Sequence, residues 1–253
     1  MEVHAHTHTP RKKWTHYLWE FLMLFLAVFC GFLAENQREH LIEHKKEKSF
    51  VRSLWEDLQN DTARLNYSIN RLKGDMRNAD TLVRLYLKGI KDKAFDPGMA
   101  KYGMGAGFSV DVVFNDRTSS QLKSSGSMRM IRNKEVADLL LQYWNNQLRI
   151  EQIHNRYETI RIEQRKLGWK TFQWFPLNFQ SYDSKDTSGF NLPPEVFADT
   201  PAGIINEQLL IEFMNVTANL FNTGLSQYLK ELQGERQLAQ QLISLIENNY
   251  HLK

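Results

Sequence analysis

The sequence predicts an all-α protein in which one N-terminal transmembrane helix continues into a long antiparallel helical bundle. An apolar run near the N-terminus, extended by an aromatic rim, is long enough to cross a bilayer. Behind it, three long segments carry apolar residues every three or four positions, the period of an amphipathic helix. No segment alternates apolar and polar residues as a half-buried strand does. We therefore expect a flexible His-rich tail at 1–13, a transmembrane helix at 14–34 and a bundle domain at 35–253.

The composition is that of a folded globular chain, with 42% hydrophobic and 24% charged residues among 253. The formal net charge is only +3, and basic residues are interleaved with acids, so nucleic acid is not an expected partner. The single cysteine, Cys30, excludes an intramolecular disulfide and any C-x-x-C metal or redox site.

The transmembrane prediction rests on the segment from Trp14 to Ala34. Its last fourteen residues, 21–34, carry no charge. Fourteen residues are short for a span, but the interfacial aromatics Trp14, Tyr17 and Trp19 extend the segment to about 20 residues. A cleaved signal peptide and a buried soluble helix are the alternatives. The segment ends Phe-Leu-Ala-Glu, without a small-x-small cleavage site, which favours an uncleaved signal anchor.

The orientation expected is a cytoplasmic N-terminus and a periplasmic C-terminal domain, in a single pass through a bacterial inner membrane. The basic residues 11–13 directly abut the span on a short tail, and a large domain is translocated whatever its charge. Glu20 lies at the edge of the span, either hydrated at the interface or paired with a partner. Ala27 and Gly31, four residues apart, would allow close helix packing in the bilayer.

Beyond the span, we expect the first helix to continue to about Lys91. Its apolar stripe has a near-heptad spacing that is typical of a coiled coil, and it packs either within the chain or against a second copy. The stripe consists of Val51, Trp55, Leu58, Thr62, Leu65, Ile69, Leu72, Met76, Ala79, Val83, Tyr86 and Ile90.

Two further long helices are expected, one from an N-cap at Asn133 to about Phe172 and one from about Ile204 to Asn249. The stretches 93–115 and 173–203 are rich in proline or glycine and are predicted to be irregular. A short helix over 115–125 should end at Gly126 in a left-handed cap.

One short region resembles a known family. The residues 122–126 (LKSSG) and 130–136 (MIRNKEV), followed by Leu140 and Tyr143, are similar to a pattern in uncharacterised single-span membrane proteins of Bacteroidetes-type bacteria. Glu56-Asp57-Leu58, in the charged helix after the span, is similar too. The resemblance covers the layout of the whole chain, but its motif covers about twenty residues. It implies a helical inner-membrane protein and carries over no catalytic or binding residue.

Two groups of histidines are candidate metal ligands. His40 and His44, with Glu43 between them, match the H-x-x-E-H spacing of inverted zinc peptidases, although a solvated juxtamembrane helix face explains the same residues. His4, His6 and His8 alternate in the tail and would chelate a divalent ion, or serve only solubility.

An aromatic cluster lies where the second long helix ends. Its members are Trp169, Phe172, Trp174, Phe175 and Phe179. They are interpreted as a core plug; the alternative is a docking surface, because in an antiparallel bundle this end points back toward the bilayer.

No catalytic constellation, phosphate-binding glycine loop or nucleophile elbow is found in the sequence. The leading hypothesis is therefore a membrane-tethered, non-enzymatic helical module for protein interaction, scaffolding or extracytoplasmic sensing, with no cofactor. Its partners would be the lipid bilayer and a protein, which includes self-association through the span and bundle. The alternative is a membrane-bound zinc-dependent hydrolase centred on His40, Glu43 and His44.

Overall fold

The computed structural model describes residues 14–174 and 203–252. Of these residues 85% are helical and none lies in a β-strand, which confirms the all-α fold class. The chain divides into two compact units, Met1–Phe50 and Val51–Lys253. One continuous helix, α1 (Trp14–Asp92), contributes to both units, as the apolar stripe predicts.

The other helices all belong to the second unit. They are α2 (Met99–Gly105), α3 (Arg117–Ser124), a 3-10 turn (Ser127–Met130), α4 (Lys134–Thr171), α5 (Gln208–Asn219), a π-helical segment (Leu220–Leu225) and α6 (Ser226–Tyr250).

The start of α4 is formed as predicted. The side chain of Asn133 accepts a hydrogen bond of 3.1 Å from the amide of Val136, and so caps the helix. Gly126 has φ of +64°, the left-handed conformation expected after the short helix α3.

Two predicted boundaries are corrected. Residues 93–115 are not wholly irregular, because α2 forms within them; its Gly103 lets the helix approach the ring of Phe213, where an added Cβ would lie 3.0 Å away. The last helix begins at Gln208 rather than Ile204. Ile204 instead forms an isolated bridge with Phe172, and Asn206 accepts from the amide of Gln208 at 3.0 Å to start α5.

The directions of the helices follow from their contacts. α6 is antiparallel to α1. The indole of Trp55 donates a hydrogen bond to Glu247 at 3.0 Å, and further along α1 Asn66 accepts one from Arg236 at 3.1 Å. α4, in contrast, runs parallel to α1: Asp61 meets Tyr143 near the start of α4, and Leu82 packs in one cluster with Phe172 beyond its end. The parallel arrangement is possible because the segment 93–133 returns along the bundle before α4 begins.

The stripe predicted on α1 forms the core, with one exception. Val51, Leu58, Leu65 and Leu72 are all buried, whereas Ile90 is 52% exposed. Gly89, which is buried, faces the ring of Phe95 at this end of α1 instead.

Two of the five members of the aromatic cluster lie in the core, as interpreted for the whole cluster. Phe172 and Trp174 are each 1% exposed and stack at 5.9 Å, while Trp169 is 48% exposed. Phe175 and Phe179 lie outside the described residues. Phe172 and Trp174 pack in one cluster with Leu82, so within the second unit the end of α4 does not lie at the Val51 end of α1, as an antiparallel bundle would require. The reason is the parallel direction of α4.

Candidate functional site

The residues proposed as a membrane anchor all lie on exposed surface in the first unit. Trp14, Tyr17 and Trp19 are 78%, 56% and 63% exposed, and Ala27 and Gly31 are exposed as well. His16 Nε2 lies 3.0 Å from Glu20 Oε1. One 18-residue window of α1 has a mean hydropathy of 2.0, is apolar and long enough to cross a membrane, and has no buried residue.

The histidines proposed as metal ligands are not assembled into a site within the described residues. His40 and His44 lie on α1, and His44 Nδ1 is 3.4 Å from Glu47 Oε2. No third ligand joins His40 and His44 in the part of the chain that the structure describes. His4, His6 and His8 lie outside it.

The polar centre of the second unit is built around a non-helical segment, residues 107–116, which we call the strap. It connects α2 to α3, and side chains of α1 and α4 donate hydrogen bonds to its backbone carbonyls. The Tyr157 hydroxyl donates to the carbonyl of Phe108 at 2.6 Å, and Arg64 donates to the carbonyl of Val113 at 2.7 Å. These bonds satisfy strap carbonyls that would otherwise need water.

Asp57 of α1 holds the end of the strap and the start of α3. Its carboxylate accepts from the Asn115 side chain at 2.6 Å, from Arg117 at 3.2 Å, and from both the amide and the hydroxyl of Thr118. The side chain is only 4% exposed. A carboxylate at this position satisfies free amides of a helix N-terminus and is favoured by the helix dipole. Asp57 therefore acts as a cap supplied by another helix.

Asp61, one turn further along α1, links three parts of the fold. It accepts from the amide of Asn115 at 2.8 Å and from the hydroxyl of Tyr143 on α4, also at 2.8 Å. Burial raises the pKa of Asp61, and these two hydrogen bonds only partly offset the rise. Burial and the Asp61 charge both raise the pKa of Tyr143, so its proton stays in place as the donor.

Two further acids are buried with oxygens that have no hydrogen-bond partner among the described residues. They are Asp75 on α1, 2% exposed, and Glu235 on α6, fully buried. Burial raises the pKa of Asp75 to about 7, against the opposing charge of Arg71. Burial also raises the pKa of Glu235 to about 8, and the charge of Asp61 adds to the rise. Both groups therefore change protonation near neutral pH.

A second polar cluster joins the strap to the middle of α4. His154 Nε2 lies 2.8 Å from Asp111 Oδ1 and 4.0 Å from Glu158 Oε1. The imidazole is held against the rings of Tyr157 and Tyr228, with centroids 6.0 and 5.3 Å away.

These three side chains are types that bind divalent metals, and their ligand atoms lie within 4.8 Å of one another. Glu158, however, already accepts from Arg161 through both oxygens, at 2.7 and 2.6 Å, and from Ser109 at 2.9 Å. Burial acts to raise the pKa of Glu158, but these donors lower it below its usual range. Both oxygens of Glu158 are thus engaged by Arg161, and the cluster joins the strap to α4 through Ser109, Asp111 and the carbonyl of Gly107, which accepts from Arg161 at 3.3 Å.

The buried acids were not predicted, although the sequence carries a signal for Asp61 and Asp75. Two rows of α1 residues, each with a spacing of seven residues, face the core. One row is apolar, with Leu58, Leu65, Leu72 and Ala79. The other contains Leu54, Asp61, Ser68, Asp75 and Leu82, and all of its members are buried. A heptad has two core positions, and the second of them predicts that Asp61 and Asp75 lie inside the bundle.

No known family model, curated protein or solved structure matches this chain.

Proposed function

We propose that this protein is a membrane-tethered, non-enzymatic helical module that acts through protein contacts, as a scaffold or as an extracytoplasmic sensor. One observation carries the proposal: residues 21–34 form an uncharged helical surface that is exposed at every position. Contiguous exposed apolar surface of this kind is typical of a lipid or protein contact. Transfer to hydrocarbon is favourable by about 25 cal/mol per Å² of apolar surface, and a helix leaves no backbone group unsatisfied there.

The second unit supports a sensing role through its buried ionisable groups. Asp75 and Glu235 are enclosed by the helices that follow the proposed anchor, and their pKa values of about 7 and 8 lie in the physiological range. A change in their protonation alters the stability of the packing around α1. The resemblance to Bacteroidetes-type proteins supports an inner-membrane location, and the basic residues 11–13 beside the span support a cytoplasmic N-terminus with a periplasmic bundle.

The anchor is tested by extraction. The full chain with a C-terminal tag is expected to stay in washed membranes after carbonate treatment. The double substitution Leu24→Lys with Val28→Lys places two charges in the span and should release the protein. The matched control is Tyr67→Lys, at a residue of the bundle that is 72% exposed. Carbonate release of the unsubstituted chain would refute membrane anchoring.

The hydrolase alternative is separated from this proposal by metal analysis of the full chain purified in detergent. A zinc enzyme centred on His40 and His44 requires one zinc per chain that is lost in His44→Ala. We expect no stoichiometric zinc in a chain whose tail histidines, His4, His6 and His8, are replaced by alanine. Stoichiometric zinc that depends on His44 would favour the hydrolase.

A further inference from the structure

Helix α4 has two opposite apolar faces, of which the bundle uses one. The inner face carries Tyr143, Ile150, Tyr157, Gln164 and Thr171, all buried at seven-residue spacing. The outer face carries another series at the same spacing, displaced by two positions. Two positions correspond to about 200° around a helix, so the second series points away from the core.

The outer series contains large apolar side chains exposed to solvent. Leu141, Leu148, Ile162 and Trp169 are 47%, 62%, 44% and 48% exposed, and Asn155 occupies the middle position. Because the inner and outer series share the period of seven, the outer line stays opposite the core along the whole helix. On a straight helix such a line would drift by about 20° per heptad.

One further exposed residue between each two neighbours joins this series, so that its positions follow one another at alternating spacings of four and three. We call the whole set the outer seam of α4. It consists of Leu141, Asn145, Leu148, Gln152, Asn155, Thr159, Ile162, Lys166 and Trp169, and all nine are exposed. From Leu141 to Ile162 no seam position carries a charge, although charged residues flank the seam from Arg149 onward.

We propose that a second copy of this chain docks along the outer seam, so that two α4 helices form a parallel pair. The inference rests on the proposed function, because two copies anchored through the same N-terminal helix must point in the same direction. In a parallel pair each seam residue faces its own copy, so any charged residue would face a like charge. The uncharged stretch from Leu141 to Ile162 is what self-pairing requires and what a partner of different sequence does not.

The polar members of the seam fit the same occupant. The amide of Asn155 both donates and accepts, so it can hydrogen-bond to its own copy, and a central asparagine fixes the register of a helix pair. Glu151 and Arg156 flank the seam five positions apart, the spacing at which opposite charges of two parallel helices meet. Lys166 lies near one end, where its long side chain can turn into solvent.

The test is disulfide crosslinking of the full chain in native membranes. Because Cys30 is the single cysteine, a Cys30→Ser background allows one cysteine to be placed at a time. Leu148→Cys, Asn155→Cys and Ile162→Cys should each give a dimer on mild oxidation, since a disulfide requires Cβ atoms about 3.5–4.5 Å apart. Tyr67→Cys on α1 and Gln240→Cys on α6, which are also exposed, are the matched controls and should remain monomeric.

The outcomes separate the possible occupants. Dimers at the three seam positions, together with monomers at both control positions, support the pairing. The pairing also predicts that adding Leu148→Glu abolishes the dimer of Asn155→Cys. Monomers at all three seam positions, equal dimers at the controls, or a crosslink to a different protein would each overturn it. Carbonate extraction of the same samples distinguishes the two proposals. Dimers in a carbonate-released protein refute the anchor alone, and monomers in an anchored protein refute the seam alone.

Discussion

The hydroxyl of Tyr143 on α4 donates a hydrogen bond of 2.8 Å to the buried carboxylate of Asp61 on α1. The pair joins two parallel helices that are far apart in sequence, and Asp61 also accepts from the backbone of the strap at Asn115. The centre of the bundle is therefore organised by a polar contact.

Replacing Tyr143 by phenylalanine should destabilise the second unit by roughly 1–3 kcal/mol, because a buried carboxylate loses one of its two donors. Denaturant unfolding followed by circular dichroism measures the free energy. Tyr67→Phe, at an exposed position of α1, is the control and should be neutral. Equal stability of the two variants would show that the contact contributes nothing.

Stability should fall as the pH rises from about 4.5 to about 8, because of Glu235. The pKa of this group is raised from an ordinary value of 4.5 to about 8, mainly by burial. In that window the folded protein holds the proton while the unfolded chain has lost it, so increasing pH favours unfolding. Asp75, raised to about 7, contributes in the same direction.

Glu235→Gln isolates this effect. The variant should be more stable than the unsubstituted chain at pH 9 by roughly 1–3 kcal/mol, with the difference shrinking toward pH 5. Thermal unfolding at pH 5, 7 and 9 measures it, and Glu212→Gln, at an exposed position of α5, is the control. A difference that is independent of pH would contradict the assignment.

Two glycines in helix interiors should respond oppositely to alanine. At Gly168 in α4 an added Cβ would overlap the ring of Trp174, so Gly168→Ala should cost roughly 1–3 kcal/mol. At Gly234 in α6 nothing lies within 4 Å, so Gly234→Ala should stabilise by about 0.5–1 kcal/mol through helix propensity. Melting temperatures compare them directly, and changes of the same sign would contradict the packing described around Trp174.

Asp57→Ala should loosen α3 by removing the carboxylate that accepts from Thr118 and Asn115. The expected cost is roughly 1.5–3 kcal/mol, the range for hydrogen bonds to a charged group. Hydrogen exchange should accelerate at residues 117–124. Glu56→Ala, which loses only an exposed ion pair of 3.8 Å with Arg117, should leave the exchange unchanged. Protection of α3 in Asp57→Ala would mean that the cap is dispensable.

Periodicity and local chemistry were enough to predict the long helices of this fold. The apolar stripe of α1, the cap at Asn133 and the left-handed Gly126 all depend on residues close in sequence. Helix α2 was missed because the glycines that argue against a helix also allow close packing, and only the position of Phe213 shows which effect prevails.

By itself, then, the sequence determined an exposed apolar N-terminal helix and a set of long amphipathic helices, since period and composition are properties of neighbouring residues. The tertiary structure decided the parallel direction of α1 and α4, and with it the contact of Asp61 with Tyr143 and the meeting of Asp111, His154 and Glu158. Those juxtapositions depend on how the segment 93–133 returns along the bundle. The return path is set by long-range packing, which no local period encodes.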